Sequence, residues 1–338
     1  GPRQEMPLRL RNLKLTIRAG EGYRPTVVFR PADMDASMRF QAMLSLSGSQ
    51  LTLINVDLIL EVPHEATSDQ WSLLESRPAE SIRLEKCSLT IQNTSGPRSA
   101  YHPDVAFFRV RAAPGSGGVI SRDSAVAPQG VTIALVDCTL RGEAVALCAH
   151  DLWPIQFSWE NGLLVTTERL LVAEGGDRAT QPGETVQIGL QHVTAVVPLG
   201  LCRFVQRTSG SRLLTTQIDC RNSILVGSPS ASLIEHVGAP SVEAARQSFA
   251  WNGERNFYED FGSLWSIRLG GAASSSSETM SFDAWREYWT AQRENAPSWR
   301  QVQWKQLPDK DRPIPARVPG DYALSTSATP TNAARGAA

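Results

Sequence analysis

Apolar and polar residues alternate along short stretches of this chain, and one eight-residue pattern recurs: apolar, any, apolar, any, polar, small or apolar, any, apolar. It begins at Leu8 (LRLRNLKL), Leu51 (LTLINVDL), Ile82 (IRLEKCSL), Ile133 (IALVDCTL), Phe157 (FSWENGLL), Ile188 (IGLQHVTA) and Ile218 (IDCRNSIL). A period of two sends Leu8 and Leu10, Leu51 and Leu53, or Ile82 and Leu84 to one face of a half-buried strand. The starts lie 43, 31, 51, 24, 31 and 30 residues apart. A stacked repeat unit of this kind takes roughly 20 to 30 residues, so the two longest gaps are expected to carry insertions.

The fifth position holds Asn12, Asn55, Lys86, Asp137, Asn161, His192 or Asn222, polar residues suited to a bend between strands. Stacked asparagines there can form a ladder of side-chain to backbone hydrogen bonds. Cys87 and Cys138 share the sixth position and read as small buried hydrophobes rather than a catalytic pair. Further apolar runs at Met43 to Leu46, Ala106 to Val110, Leu170 to Ala173 and Cys202 to Val205 supply at least one more strand to several repeats. The expected fold is all-β, a parallel β-helix solenoid occupying residues 1–270.

Helical periodicity emerges only near the end. Ser281 to Glu294 (SFDAWREYWTAQRE) places Phe282, Trp285 and Trp289 at i, i+3 and i+7, with Ser281 as N-cap. Open strand edges at the end of a stack invite aggregation and are commonly covered. Residues 271–324 are therefore expected to form a Trp-rich helical cap or flap with one amphipathic helix and a final strand. The stretches APGSGG (Ala113 to Gly118), GGDRATQPG (Gly175 to Gly183) and GGAASSSSE (Gly270 to Glu278) read as mobile loops, and residues 325–338 as a disordered tail.

With 41% apolar and 20% charged residues and a net charge of −1, the 338-residue chain lacks the basic footprint of a nucleic-acid binder. No run reaches the ~18 apolar residues a membrane helix needs. The five cysteines are scattered, with no CxxC pair for zinc or redox chemistry. The opening Gly1-Pro2, without Met, looks like the scar of a cleaved tag, so a piece of a longer protein is expected.

Three stretches carry a resemblance: LKLTIRAGEGYRPTVVF (Leu13 to Phe29), LSLSGSQLTLINVDLIL (Leu44 to Leu60) and FAWNGERNFYEDF (Phe249 to Phe261), with FDAWREYW and the later GDYAL (Gly320 to Leu324) behind them. In these the chain resembles the right-handed parallel β-helices of the pectin lyase-like superfamily, particularly those joined to bacterial serine/threonine protein kinases. The resemblance implies a right-handed coil, a larger bacterial protein and an extracytoplasmic setting. Enzymes of that superfamily use clustered aspartates or calcium with a basic residue. Here the marked strands offer only Asp57, Asp137 and Asp219, at different strand positions, so no catalytic set carries over.

The acids near loops, Asp33, Asp35, Glu254, Glu259 and Asp260, read as solvated charge. His64, His102, His150, His192 and His236 show no metal-binding spacing, and Asp260-Phe261-Gly262 matches a kinase triplet without the other kinase motifs. The densest group able to recognise a ligand is Trp251, Asn252, Glu254, Arg255 and Tyr258, together with Asn256. Aromatic faces stack on sugar rings while amide and charged groups fix hydroxyls; the competing reading makes these aromatics anchors for the C-terminal cap. The expectation is a non-catalytic module, without cofactor or metal, that binds or senses an extended ligand such as a glycan, a cell-wall component or a protein. A polysaccharide lyase or glycoside hydrolase and a purely structural module are the alternatives.

Overall fold

The computed structural model describes residues 1–31, 40–63, 70–93, 102–111, 130–150, 153–208, 210–270 and 277–325. Asp33, Asp35, His64 and the Ala113 to Gly118 loop lie outside them, as does the tail beyond Ser325. Strands dominate. Among the described residues they form a 16-stranded and a 10-stranded sheet, parallel throughout except for a last antiparallel strand, Ser277–Met280. This all-β, long parallel arrangement is compatible with a β-helix.

Apart from that last strand, neighbours in each sheet are separated in the chain by strands of the other, so each passage of the chain adds to both. The larger sheet has two limbs. Its long strands Val131–Gly142, Ile155–Thr166 and Thr185–Val196 run through both limbs. In the other passages the two limbs are separate strands, such as Gln50–Ile54 followed by Asp57–Glu61. The 10-stranded sheet takes up the second apolar runs: Phe40–Ser47, Val105–Val110, Leu171–Glu174 and Cys202–Val205.

Register follows the repeat. Leu51, Ile82, Ile133, Phe157, Ile188, Ile218 and Trp251 are successive partners, all buried. On the second limb Leu58, Leu89, Leu140, Leu164, Ala195, Leu225 and Tyr258 form an equivalent row. In the smaller sheet the row is Leu74, Phe108, Leu147, Leu171, Cys202, Ile234 and Trp265. These rows meet in one apolar core, where each buried Leu, Ile or Phe is worth roughly 1.5–3 kcal/mol.

The bend between limbs has one backbone solution. Asn55, Lys86, Asp137, Asn161, His192, Asn222 and Arg255 all have φ between 49° and 57°, the left-handed region, and Ala296 repeats it at 48°. A left-handed residue costs about 1–2 kcal/mol unless it is Gly, Asn or Asp, which explains the polar fifth position. The hydrogen-bond ladder forms one residue later, inside: Ser223 Oγ accepts from Val193 N (3.1 Å), and Asn256 Oδ1 accepts from Ser223 N (3.1 Å). Cys87 and Cys138, at the same inner position, are 1% exposed.

The first marked segment is a correction. Leu8–Arg11 belongs to the 10-stranded sheet, with Leu8 beside Leu44, and the partner of Leu51 is Leu15. Asn12 is also left-handed, but it sits at a different corner against Gly48. A two-residue alternation around a polar bend does not say which corner it turns.

The C-terminal helix, Phe282–Arg293, is capped by Ser281, whose hydroxyl accepts from Ala284 N (3.3 Å), and it buries Trp285 and Trp289. A shorter helix, Val242–Gln247, had no clear sequence signal. After the long helix, Glu294–Asn295 and Ser298–Trp299 pair with the strands Phe249–Glu254 and Phe257–Glu259, completing one more partial passage. Residues 300–325 then cross the outside of the second limb. Val302 packs on Ile224 and Phe257, and Tyr322 on Leu163 and Val165, which explains why those outward positions are apolar. Where a final strand was expected, Pro319–Tyr322 is a 3-10 turn and Leu324 makes a single antiparallel bridge to Trp304.

Candidate functional site

Outward side chains of the second limb are mostly polar before the C-terminal segment covers them. Asp57, Ser88 and Thr139 are register partners on three successive passages. Beside them the left-handed bend presents Lys86, Asp137 and Asn161 outward. Pro319 of the C-terminal segment closes the far side, and the result is an open groove of about 600 Å³ crossing several passages. With strands ~4.8 Å apart, Asp57 to Asn161 spans roughly 15 Å.

The groove presents both signs of charge and both kinds of hydrogen-bonding group. Arg24 donates from Nε to both oxygens of Asp57 (2.9 and 3.0 Å). Arg141 donates to Thr90 Oγ1 (3.0 Å) and to the Arg317 carbonyl, tying the covering segment to the sheet. Asn161 Nδ2 donates to Asp137 Oδ1 (2.5 Å), while Asn161 Oδ1 is buried and has no hydrogen-bond partner. A buried amide oxygen without a donor costs ~1–3 kcal/mol. Beneath the floor the stacked thiols donate to backbone carbonyls, Cys87 Sγ to Glu85 O (3.2 Å) and Cys138 Sγ to Val136 O (3.2 Å).

The group singled out in the sequence is divided by its strands. Phe249–Glu254 and Phe257–Glu259 are a further passage of the repeat, unrecognised because Trp and Gly stand where aliphatic residues usually do. Trp251 and Tyr258 point inward and are 0% exposed. Trp251 Nε1, Tyr258 Oη and Trp285 Nε1 all donate to Glu294 Oε2, at 2.5, 3.0 and 2.9 Å. Their rings pack against the cap, with Trp251 and Trp285 edge to face at 5.4 Å between centroids. Asn252, Glu254 and Arg255 remain outside, where Asn252 donates to Asp219 (2.9 Å) and Arg255 donates to Asn222 (2.8 Å) and pairs with Glu254 (3.0 Å). The five residues therefore do not converge on one exposed surface. Glu294, the acid that gathers the cap, gave no sign of itself in the sequence.

Asp57 and Asp137 do share the groove, although they occupy different strand positions. Asp219 lies apart, beside Asn252 and Gln217. Glu259 is buried and accepts from Val302 N (3.0 Å), and burial raises its pKa. Asp260 is a left-handed turn residue and Phe261 a core side chain, a setting with no relation to a kinase triplet. Among the described residues, no three or more His, Cys, Asp or Glu side chains are placed to hold a metal ion, and no helix is long and apolar enough to cross a membrane. Comparison with protein-family models, curated proteins and solved structures found no match.

Proposed function

We propose that the chain is a right-handed parallel β-helix that binds an extended, hydroxyl-rich ligand, a glycan or cell-wall component, in the groove bounded by Asp57, Asp137, Asn161 and Pro319. It does so without cleaving the ligand, as the extracytoplasmic sensing region of a larger, kinase-linked bacterial protein. The observation that carries this reading is the groove itself: an open channel crossing the stacked strands, with donors and acceptors from Asp57, Lys86, Asp137 and Asn161 spaced by the strand repeat. A sugar chain offers hydroxyls at comparable intervals along its length. The setting in a larger protein rests on the sequence resemblance alone.

A second reading, polysaccharide cleavage, draws on Asp57 and Asp137 lining one groove. Against it, Arg24 occupies both oxygens of Asp57, and the Asn161 amide holds Asp137. Calorimetric titration with a panel of neutral and acidic oligosaccharides separates these outcomes. Binding without product formation, weakened about tenfold or more in Asn161→Ala and Asp137→Ala, is the expected result. Products that disappear in Asp137→Ala would establish the enzyme, and binding indifferent to both variants would remove the groove from consideration.

A further inference from the structure

The outer face of the 10-stranded sheet carries a second cluster, assembled by register. Val145–Ala149 places Cys148 outward, and His150 follows two residues later on the same side. Cys148 is paired with Arg109 on one neighbouring strand and Val172 on the other. Two residues past Val172, Glu174 stands beside His150. Cys148 Sγ lies 3.2 Å from His150 Nε2, and Glu174 Oε2 lies 3.3 Å from His150 Nδ1. Arg109, 1% exposed, reaches both groups: its Nη1 is 2.9 Å from Nε2 and 3.5 Å from the sulfur. Asp104 (2.5 Å) and the Trp71 carbonyl (3.4 Å) accept from Arg109 Nη2, and Arg207 pairs with the other oxygen of Glu174 (2.5 Å).

A nucleophile within hydrogen-bond reach of a base, the base oriented by a third group through its other nitrogen, is the arrangement that activates a thiol. A cation near the sulfur favours the thiolate further. We propose that Cys148, His150 and Glu174 are a nucleophile, its base and the base's positioning carboxylate, and that this face performs acyl transfer on a carboxylic ester or thioester. The groups around the imidazole agree. Burial disfavours its charge and Arg109 opposes it too, but the Cys148 sulfur and Glu174 outweigh both and raise His150 to about 10. Glu174 is pulled down to about 2, chiefly by its bond to His150, with Arg207 assisting against burial.

The reaction balances without a further reactant. The proton shared by the pair rests on His150 Nε2, so the Cys148 sulfur attacks the acyl carbon as the thiolate, forming a C–S bond while the carbonyl π pair moves to oxygen. With Nε2 protonated, the Arg109 Nη1–H turns to the oxyanion. The C–O or C–S bond to the leaving group breaks, and the alcohol or thiol departs with the proton from Nε2. Water then adds to the Cys148 thioester, giving its proton to Nε2, and the C–S bond breaks to release the acid and restore the thiolate beside the imidazolium. The sum is ester or thioester plus water to acid plus alcohol or thiol. Cys148 is 4% exposed and His150 19% exposed at its side chain, so reagents and substrate reach the sulfur only past the imidazole.

The full chain is treated with p-nitrophenyl acetate and separately with iodoacetamide, over about pH 5 to 9, and the modified cysteines are mapped by mass spectrometry. One acetyl group on Cys148, and Cys148 alkylated fastest of the five cysteines, is the expected result. Cys148→Ser abolishes both modifications, and His150→Gln slows ester turnover by about a hundredfold. Glu174→Gln moves the onset of Cys148 alkylation to higher pH, and Glu174→Asp partly restores it, a response that mere loss of packing would not give. Should His150→Gln fail to fold, the wild-type pH profile and Cys148→Ser still decide. The proposal is overturned if acetyl appears on Cys87 or on no cysteine, if Cys148 in the folded chain reacts no faster than in the urea-unfolded chain, or if a folded His150→Gln changes neither rate nor profile.

Discussion

Replacing Glu294 by leucine keeps approximate volume and removes the acceptor on which the cap converges. Trp251, Tyr258 and Trp285 each lose a buried hydrogen bond to Oε2. An orphaned buried donor costs ~1–3 kcal/mol, so three cost about 6 kcal/mol at the middle of that range. Leucine also removes the burial of a carboxylate, which returns several kcal/mol. Burial indeed raises the Glu294 pKa against the pull of its three donors. The net loss expected for Glu294→Leu is about 3 kcal/mol. Glutamine is the informative contrast: all three donors meet one oxygen and Oε1 has no partner, so an amide oxygen can keep the same bonds. Its NH2 takes the place of the partnerless Oε1 and is left without an acceptor, so Glu294→Gln is expected to cost about 1–2 kcal/mol, less than the leucine. Urea unfolding followed by tryptophan fluorescence reports on this region, because Trp251, Trp265, Trp285 and Trp289 are in mutual contact. Hydrogen exchange should show Phe282–Arg293 losing protection while Val131–Gly142 keeps it. A Leu variant within ~1 kcal/mol of wild type, or a Gln variant as damaged as the Leu one, would refute the reasoning.

Other outcomes follow from single residues. His236, 1% exposed and accepting from Trp265 Nε1 (3.0 Å), is held down to about 3 by burial. A base kept neutral in the fold stabilises above its unfolded pKa and loses that contribution as pH falls from about 6.5 towards 3. The wild-type advantage over His236→Gln should therefore shrink by ~1.4 kcal/mol per pH unit in that window in urea titrations, and a constant difference would contradict it. Gly142 has φ 145°, and a Cβ there would lie 2.1 Å from the Ile91 carbonyl oxygen. Gly142→Ala should lower stability by about 3 kcal/mol in denaturant melts, and a loss below ~0.5 kcal/mol would mean the strand moves freely. Lys86 is exposed and left-handed. Lys86→Asn should stabilise by ~0.5 kcal/mol and Lys86→Val destabilise by at least ~1 kcal/mol, measured as shifts in unfolding midpoint; the reverse order would contradict a conformational origin.

From Leu51 onward, alternation read the inward rows and their register correctly, because each inward side chain stacks on its equivalent and each bend demands a residue that tolerates positive φ. The same logic misplaced Leu8, since Asn12 satisfies that demand at another corner. The passage through Trp251 and Tyr258 admits two readings in the sequence, a recognition loop or aromatics anchoring the cap, because aromatic and polar residues in succession suit a surface as well as a seam. The contacts to Glu294 and Trp285 place the aromatics inward, against the cap. The groove and the Cys148 cluster were less legible still. Both combine residues from different passages, and the groove also needs Pro319, brought from far along the chain by packing that no local period encodes. His150 was visible, but its partnership with Glu174 depends on which strands become neighbours.

The left-handed bend has a consequence for how such a chain can change in length. Residues 86 and 137 are 51 apart and residues 137 and 161 only 24 apart, yet all three are aligned neighbours with the same dihedral. The bend acts as an index mark from which each passage is counted afresh. Material can be added or removed elsewhere in a passage without propagating an error to the next, whereas one residue inserted between the bend and its inner neighbour would turn every later side chain of that strand inside out. Variation among chains of this kind should therefore collect in the far loops and leave the spacing around the bend untouched.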